Sequence, residues 1–133
     1  MSLDKRDSLM QRETKFVVLV VEDDALIRMT AAEMIFSANY DVVEAGNADE
    51  AIKILEKRPD IHVVFTDIEM PGSMDGLRLA AAIRGRWPPI KIIAASGRVA
   101  ATMNQLPEGS RFLPKPYRDH DVLAAIRELT NAA

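Results

Sequence analysis

Two hydrophobic patterns alternate along the chain from residue 16 onward. Short runs of consecutive apolar residues, many of them β-branched, are typical of strands that are buried on both faces. Between these runs, apolar residues recur every three to four positions, which is the spacing of an amphipathic helix. The runs predict strands over residues 16–21, 41–45, 62–66, 91–95 and 111–113, and the periodic segments predict helices over residues 25–38, 48–58, 75–86, 99–105 and 119–130.

The order of these elements predicts the fold class. Each predicted strand is followed by a helix, and short buried strands that alternate with amphipathic helices form a parallel sheet with helices on both faces. Because such crossovers are right-handed, we predict an α/β, doubly wound, three-layer sandwich. Residues 1–15 are polar, carry mixed charge and lack a sustained period, so we predict a flexible N-terminal arm followed by one domain over residues 16–133.

Composition narrows the classes of function without choosing one. The chain has 133 residues, no cysteine and a net charge of −3, which excludes disulfides, cysteine-bound metals and thiol nucleophiles. The lack of a long apolar stretch argues against a transmembrane helix, and a mildly acidic chain lacks the basic face that binds nucleic acid non-specifically. We therefore predict a cytoplasmic protein that binds neither a membrane nor nucleic acid directly.

Polar residues that carry chemistry follow four of the five predicted strands. Ligands of a doubly wound sheet bind beyond the carboxyl ends of its strands, so these residues are expected to meet. Carboxylates held close together repel one another unless a cation lies among them. The residues are Glu22, Asp23 and Asp24 after the first strand, Asp67 after the third, Ser96 after the fourth and Lys115 after the fifth.

This set of residue types is suited to magnesium-dependent phosphoryl transfer. Mg²⁺ prefers oxygen ligands and is usually held by one or two carboxylates together with a phosphate group. An aspartate can act as a nucleophile and form an aspartyl phosphate. A lysine and a hydroxyl on the other side can bind the remaining phosphoryl oxygens and offset their charge.

Four short motifs, each near the end of a predicted strand, carry a family resemblance. They are VVEDD at 20–24, FTDIEMPG at 65–72, AASG at 94–97 and LPKP at 113–116. In this order, over residues 16–131, the chain resembles the receiver domain of two-component response regulators. The resemblance implies a flavodoxin-like (βα)5 fold with strand order 2-1-3-4-5.

The same resemblance implies a function, a cofactor and partners. The domain would be a signalling phosphoacceptor rather than a conventional enzyme, although it would assist its own phosphorylation and dephosphorylation. A sensor histidine kinase or a histidine phosphotransfer protein would deliver the phosphoryl group, with Mg²⁺ bound. The family pattern also allows a homodimer.

The resemblance implies a set of metal ligands. Asp23 would bind Mg²⁺ directly, and Glu22 would bind it through water. Asp67 and the backbone carbonyl of Glu69 would complete the ligands supplied by the protein, with the Glu69 side chain near the phosphoryl group.

The resemblance also implies which residues handle the phosphoryl group. Asp67 would accept it, Ser96 would hydrogen-bond it and Lys115 would pair with one of its oxygens. Ser96 would move toward the new group and vacate space that Phe112, the switch aromatic, could fill. This movement would alter the face made by the fourth predicted helix, the fifth strand and the fifth helix. The Lys115–Pro116 peptide bond would be cis.

The chain departs from the family pattern in two places, and two other functions stay open. The loop from Met70 to Gly76 is one residue longer, and the stretch from Ser96 to Lys115 is short, so we expect a reduced fourth helix. One alternative is an aspartyl-phosphate hydrolase, which would want a second aspartate where this chain has Glu69. The other is an interaction module that works without phosphorylation.

Overall fold

Strands and helices alternate along the part of the chain that the computed structural model describes, residues 15–72, 74–99 and 103–131. The strands are β1 (Val17–Val21), β2 (Asp41–Ala45), β3 (Ile61–Asp67), β4 (Lys91–Ser96) and β5 (Arg111–Pro114). The helices are α1 (Ala25–Ser37), α2 (Ala48–Lys57), α3 (Gly76–Arg86) and α4 (Asp119–Thr130). Residues 1–14 lie outside the described residues, so the flexible arm over 1–15 and the domain boundary at 16 stay predictions.

All five strands pair in parallel in one sheet with the order β2-β1-β3-β4-β5. This confirms the doubly wound α/β class and the flavodoxin-like strand order. The order reverses between β1 and β3, where the chain crosses from one half of the sheet to the other. Clefts form at such a switch point, beyond the carboxyl ends of the strands.

The expected number of helices is wrong: the described residues form four helices rather than five. The predicted helix over 99–105 includes residues 100–102, which lie outside the described residues. The connection from β4 to β5 leaves little room for a long helix, because its last part is a turn. The Ser110 N–H donates to the Pro107 carbonyl at 3.1 Å, and Gly109 adopts a φ of 89°, which favours glycine.

Two hydrophobic clusters, one on each face of the sheet, hold the helices in place. Successive residues of a strand point to opposite faces, and β1 supplies Leu19 to one cluster and Val18 to the other. Helices α2 and α3 pack on the first face, for example through Leu55 and Leu79, which are 2% and 0% exposed. Helices α1 and α4 pack on the second face. The sheet is therefore covered on both sides, as the continuous apolar runs predicted.

All four helices follow the carboxyl end of a strand, and α1, α2 and α3 each begin with a side-chain cap. Asp24 accepts from the Ile27 N–H at 3.0 Å to start α1. Asn47 accepts from the Glu50 N–H at 2.8 Å to start α2. Asp75 caps α3 in the same way by accepting from the N–H of Arg78 at 2.9 Å. Such caps fix where each helix begins, and they direct the partly positive N-termini toward this edge.

Candidate functional site at the carboxyl edge of the sheet

Parallel pairing brings the predicted site residues to one edge. Val21 is paired with Thr66, so Glu22 and Asp67, one residue further along, lie side by side. Asp67 is paired with Ala95, the residue before Ser96. Ser96 in turn is paired with Pro114, the residue before Lys115. Four distant segments of the sequence therefore bring polar residues to one edge of the sheet.

Three carboxylates form a compact acidic cluster. Glu22, Asp23 and Asp67 each offer an oxygen, and these oxygens lie within 4.8 Å of one another. Glu22 is only 7% exposed, and its Oε2 atom is buried without a hydrogen-bond partner among the described residues. Burial, followed by the negative charge of Asp67, raises the pKa of Glu22 to about 7. A hard divalent cation would relieve both the repulsion and the missing contact, so these oxygens suit Mg²⁺.

Lys115 lies against Asp67 on the opposite side of the cluster. Its Nζ atom is 2.6 Å from Asp67 Oδ1, and the two side chains are 38% and 10% exposed. Although burial lowers it, the hydrogen bond to Asp67 and the charges of Asp67 and Glu22 hold the pKa of Lys115 above its ordinary value. The ammonium group is therefore charged beside the Asp67 carboxylate. The peptide bond between Lys115 and Pro116 is cis, as expected.

The side chain of Glu69 does not join the acidic cluster of Glu22, Asp23 and Asp67. Glu69 Oε2 accepts a hydrogen bond from Ser96 Oγ at 2.6 Å, and Oε1 accepts from the Gly97 N–H at 3.1 Å. The family resemblance predicted that this side chain lies near the phosphoryl group. In the structure it contacts Ser96, the residue predicted to hydrogen-bond that group.

Asp24 and Phe112 lie apart from the cluster. The carboxylate of Asp24 caps α1, whereas Glu22 and Asp23 from the same acidic run belong to the cluster. Phe112 is paired with Ala94 on β5 and is partly exposed. Its ring lines a surface groove with Leu113, Tyr117 and other residues of β5 and α4. The predicted switch aromatic is thus next to the strand that ends in Ser96, on the outer side of the domain.

Sequence reasoning missed Arg28, which fixes the acidic turn. Arg28 Nη1 donates to the Glu22 carbonyl at 3.0 Å, and its Nε atom is 3.2 Å from Glu44 Oε1. The guanidinium thus ties α1 to the ends of β1 and β2. The one signal in the sequence is a basic residue a single helical turn beyond the cap Asp24, which by itself does not predict the contact.

Gly76 is a second residue that sequence reasoning missed. A Cβ atom at this position would lie 2.7 Å from Ile68 Cα and still closer to the carbonyl oxygen of Asp67. The Gly76 N–H donates to the Ile68 carbonyl at 3.0 Å. Helix α3 therefore begins directly against the backbone of the phosphoacceptor candidate, despite the longer loop that precedes it.

A cavity of about 450 Å³ opens beside the cluster. Its walls are mainly apolar and include Ile27 of α1, Phe65 of β3 and Tyr117, while Glu22, Asp67 and Lys115 supply its polar end. The Tyr117 ring meets Phe65 edge-on with ring centroids 5.7 Å apart. The acidic cluster is therefore bordered by a mainly apolar wall on this side.

The comparisons with known proteins agree with this geometry. The model of the response regulator receiver domain family matches residues 18–127. Over 113 residues the chain is 36% identical to the transcriptional regulatory protein PdtaR of Mycobacterium tuberculosis, which covers 82% of the chain and 54% of PdtaR. Over 116 residues it is 34% identical to the sensor kinase CckA of Brucella abortus, which covers 84% of the chain and 12% of CckA.

A solved relative also shows the fold with a metal complex bound. The response regulator protein TrrA of Thermotoga maritima, in complex with Mg²⁺-BeF, has a TM-score of 0.77 and 26% identity, covering 86% of this chain and 98% of TrrA.

The chain spans about half of the length of PdtaR and a smaller part of CckA. Over the described residues, no helix is long and apolar enough to cross a membrane.

Proposed function

This chain belongs to the response regulator receiver family of two-component signalling, and from that premise we propose that Asp67 is the residue on which it accepts a phosphoryl group. Receiver domains are signalling phosphoacceptors that take phosphate from histidine kinases. The observation that carries the proposal is the position of Asp67, between Lys115 at 2.6 Å and the acidic oxygens of Glu22 and Asp23 within 4.8 Å.

The chemistry follows from these neighbours. A carboxylate oxygen of Asp67 forms a bond to phosphorus while the bond between phosphorus and the histidine nitrogen of the donor breaks, and the electron pair stays on the imidazole. Lys115 stays charged beside Asp67 and offsets the negative charge that the phosphoryl group adds. The Ser96 hydroxyl donates to one of the phosphoryl oxygens, since Ser96 and Asp67 end adjacent strands.

Mg²⁺ is the cofactor that we propose for this step. Asp23, Asp67 and the Glu69 carbonyl would bind it directly, and Glu22 would bind it through water. When bound, the ion supplies positive charge against the carboxylates and the phosphoryl oxygens. The Oε2 atom of Glu22, which is buried without a hydrogen-bond partner in the described part of the chain, supports this proposal.

We propose that phosphorylation switches the face around β5. Movement of Ser96 toward the phosphoryl group would open space beside β4, and Phe112 on the neighbouring strand would turn inward to fill it. The face that changes comprises β5, α4 and the segment 99–105, of which residues 100–102 lie outside the described residues. The same site residues would assist loss of the phosphoryl group to water.

The remaining parts of the proposal concern partners and place. We propose a sensor histidine kinase or a histidine phosphotransfer protein as the donor, a cytoplasmic location and no direct binding of nucleic acid. A family member of this kind can also pair with a second copy of itself. Cell fractionation tests the location, titration with duplex DNA tests nucleic-acid binding, and sedimentation with and without phosphorylation tests pairing.

Phosphoryl incorporation tests the function. The intact chain is incubated with phosphoramidate and Mg²⁺, and its mass is followed with time. We expect the wild-type chain to gain one phosphoryl group and Asp67→Asn to gain none. The matched control is Asp60→Asn, which removes an exposed carboxylate paired with Arg58 at the other edge of the sheet, and it should gain the group as the wild type does.

The same experiment separates the alternatives. Equal incorporation by Asp67→Asn would contradict the proposal. Continuous release of phosphate from an ester substrate would favour the hydrolase. Absence of incorporation by the wild type, together with no binding of Mg²⁺, would favour the interaction module.

A further inference from the structure

The Glu69 carboxylate holds the first residues after β4. One of its oxygens accepts from Ser96 Oγ at 2.6 Å, and the other accepts from the Gly97 N–H at 3.1 Å. The Arg98 N–H then donates to Ser96 Oγ at 2.9 Å. The two ends of one carboxylate therefore fix both the hydroxyl of Ser96 and the turn that follows it.

This contact conflicts with the part that Ser96 would play after phosphorylation. A serine hydroxyl has a single hydrogen to donate, and here it is donated to Glu69. A phosphoryl oxygen on Asp67 would need the same hydrogen. Ser96 is fully buried, so a water molecule cannot donate the missing hydrogen bond in its place unless the turn moves.

We propose that Glu69 is a latch that keeps the Ser96–Arg98 turn in its unphosphorylated conformation, so that phosphorylation must break the contact between Glu69 and Ser96. This inference rests on the proposed function, because it assumes that Ser96 receives the phosphoryl group formed on Asp67. Glu69 acts through Ser96 and is therefore a positioning residue. Its effect is to lower the affinity of the site for a phosphoryl group and to keep the unphosphorylated form well populated.

A latch can be distinguished from simple repulsion between the Glu69 charge and the phosphoryl charge. Glu69→Asp keeps the negative charge but is one methylene shorter, so it loses the contact with Ser96 Oγ and the Gly97 N–H. Glu69→Gln keeps the length and one accepting oxygen but loses the charge. Glu69→Ala removes both. A latch predicts that Asp behaves like Ala with Gln intermediate, whereas repulsion predicts that Asp behaves like Glu and Gln behaves like Ala.

The test measures binding of beryllofluoride, a stable mimic of the phosphoryl group, to the full chain with Mg²⁺. We expect Glu69→Ala and Glu69→Asp to bind it about tenfold more tightly than the wild type. In the wild type, binding breaks the hydrogen bond from Ser96 to the charged Glu69, whereas in these variants that bond is already absent. The affinity of Glu69→Gln should lie between that of the wild type and that of these two variants. In a Ser96→Ala background the effect of Glu69→Ala should disappear, which a merely structural role would not produce.

Amide spectra of the unliganded chain provide a second readout. The Gly97 amide should exchange slowly in the wild type and faster in Glu69→Asp and Glu69→Ala, because its acceptor is lost. Affinities in which Asp matches the wild type and Gln matches Ala would overturn the latch, as would four equal affinities.

Failure of this inference differs from failure of the proposed function. If the wild type binds beryllofluoride and Asp67→Asn does not, the function stands and the Glu69 variants alone decide the latch. If the wild type and Asp67→Asn bind beryllofluoride equally, or neither binds it, the proposed function fails and the latch fails with it.

Discussion

The two edges of the central sheet place their charges in opposite ways. At the carboxyl edge, three carboxylates offer oxygens within 4.8 Å of one another, and Lys115 contacts only one of them in an ion pair among the described residues. At the amino edge, opposite charges are matched in pairs. Arg58 lies 2.7 Å from Asp60, and Arg86 lies 2.8 Å from Glu56.

The difference shows which edge of the sheet destabilises the folded state electrostatically and which does not. Buried like charges destabilise the folded state unless a ligand offsets them, and that cost falls on the edge with the cleft. The amino edge carries exposed pairs and one partly buried contact, from the Val17 N–H to His62 Nδ1 at 3.0 Å. The proposed function accounts for this cost, because a cation and a phosphoryl group would offset the like charges at the carboxyl edge, whereas the charges at the amino edge already lie in pairs.

The largest expected effect comes from adding a side chain where the start of α3 lies against the end of β3. We expect Gly76→Ala to lower the free energy of unfolding by about 3 kcal/mol, because its Cβ would collide with the backbone of Asp67 and Ile68. Phosphorylation should slow as well, because Asp67 must shift. Urea unfolding and phosphoryl incorporation measure the two effects.

Gly85 provides the matched control in the same helix. A Cβ there meets no atom within 4 Å, so Gly85→Ala should stabilise the chain by about 0.5 kcal/mol through helix propensity. Equal effects of the two substitutions would show that the close approach of α3 to the backbone of Asp67 and Ile68 is unimportant for stability.

The next effect is a pH dependence that belongs to the carboxyl edge. The pKa of Glu22 rises from 4.5 to about 7 in the folded chain, first through burial and then through the charge of Asp67. A raised carboxyl pKa means that the folded state favours the protonated form. Without metal, stability is therefore greatest below about pH 4.5 for this group and is lost as the pH rises to about 7, by up to about 3 kcal/mol.

Glu22→Gln should remove that loss. At pH 8 and without metal, we expect this variant to be about 2 kcal/mol more stable than the wild type. Added Mg²⁺ should stabilise the wild type more and narrow the gap, by mass action. Thermal unfolding in EDTA and in Mg²⁺ measures both values, and a variant less stable than the wild type in EDTA would contradict the proposed cost of the cluster.

A smaller effect is expected at the amino edge. His62→Ala removes the acceptor of the Val17 N–H and an edge-on ring contact with Phe16 at 5.0 Å. The free energy of unfolding should fall by about 1 kcal/mol. Beryllofluoride affinity should stay unchanged, because the site lies at the other edge, and a changed affinity would break the separation between the edges.

The smallest effect concerns an exposed pair. Glu56→Gln weakens the contact with Arg86, whose side chain is 50% exposed, and should change the free energy of unfolding by less than about 0.5 kcal/mol. High salt should remove even that difference. If Glu56→Gln lowered the free energy of unfolding by about 2 kcal/mol, as much as Glu22→Gln is expected to raise it, the view that the amino edge carries little electrostatic energy would be contradicted.

Much of the fold was predictable because it depends on local pattern. The runs at 16–21 and 62–66 became β1 and β3, and the pattern over 119–130 became α4 with the same bounds. Helix α1 shows the limit: Leu26 and Phe36 are apolar yet 75% and 61% exposed, so periodicity alone does not define its inner face.

The site residues were predicted by type and order, but their mutual contacts were not. Asp67 and Ser96 end their strands and Lys115 follows β5, and parallel strands bring such residues together. The contact of Glu69 with Ser96 depends on where a long side chain turns after β3, which neither period nor motif specifies. The closeness of Gly76 to Asp67 depends on the path of a loop that is longer than the family pattern.

The measurement that most directly tests the central claim is the position of the phosphoryl group. The full chain is treated with phosphoramidate and Mg²⁺, digested with a protease under mild conditions and mapped by mass spectrometry. We predict that the group lies on the peptide that contains Asp67, that it requires Mg²⁺ and that Asp67→Asn carries none. A phosphoryl group on any other residue, or an Asp67→Asn chain that is modified as fast as the wild type, would contradict the account.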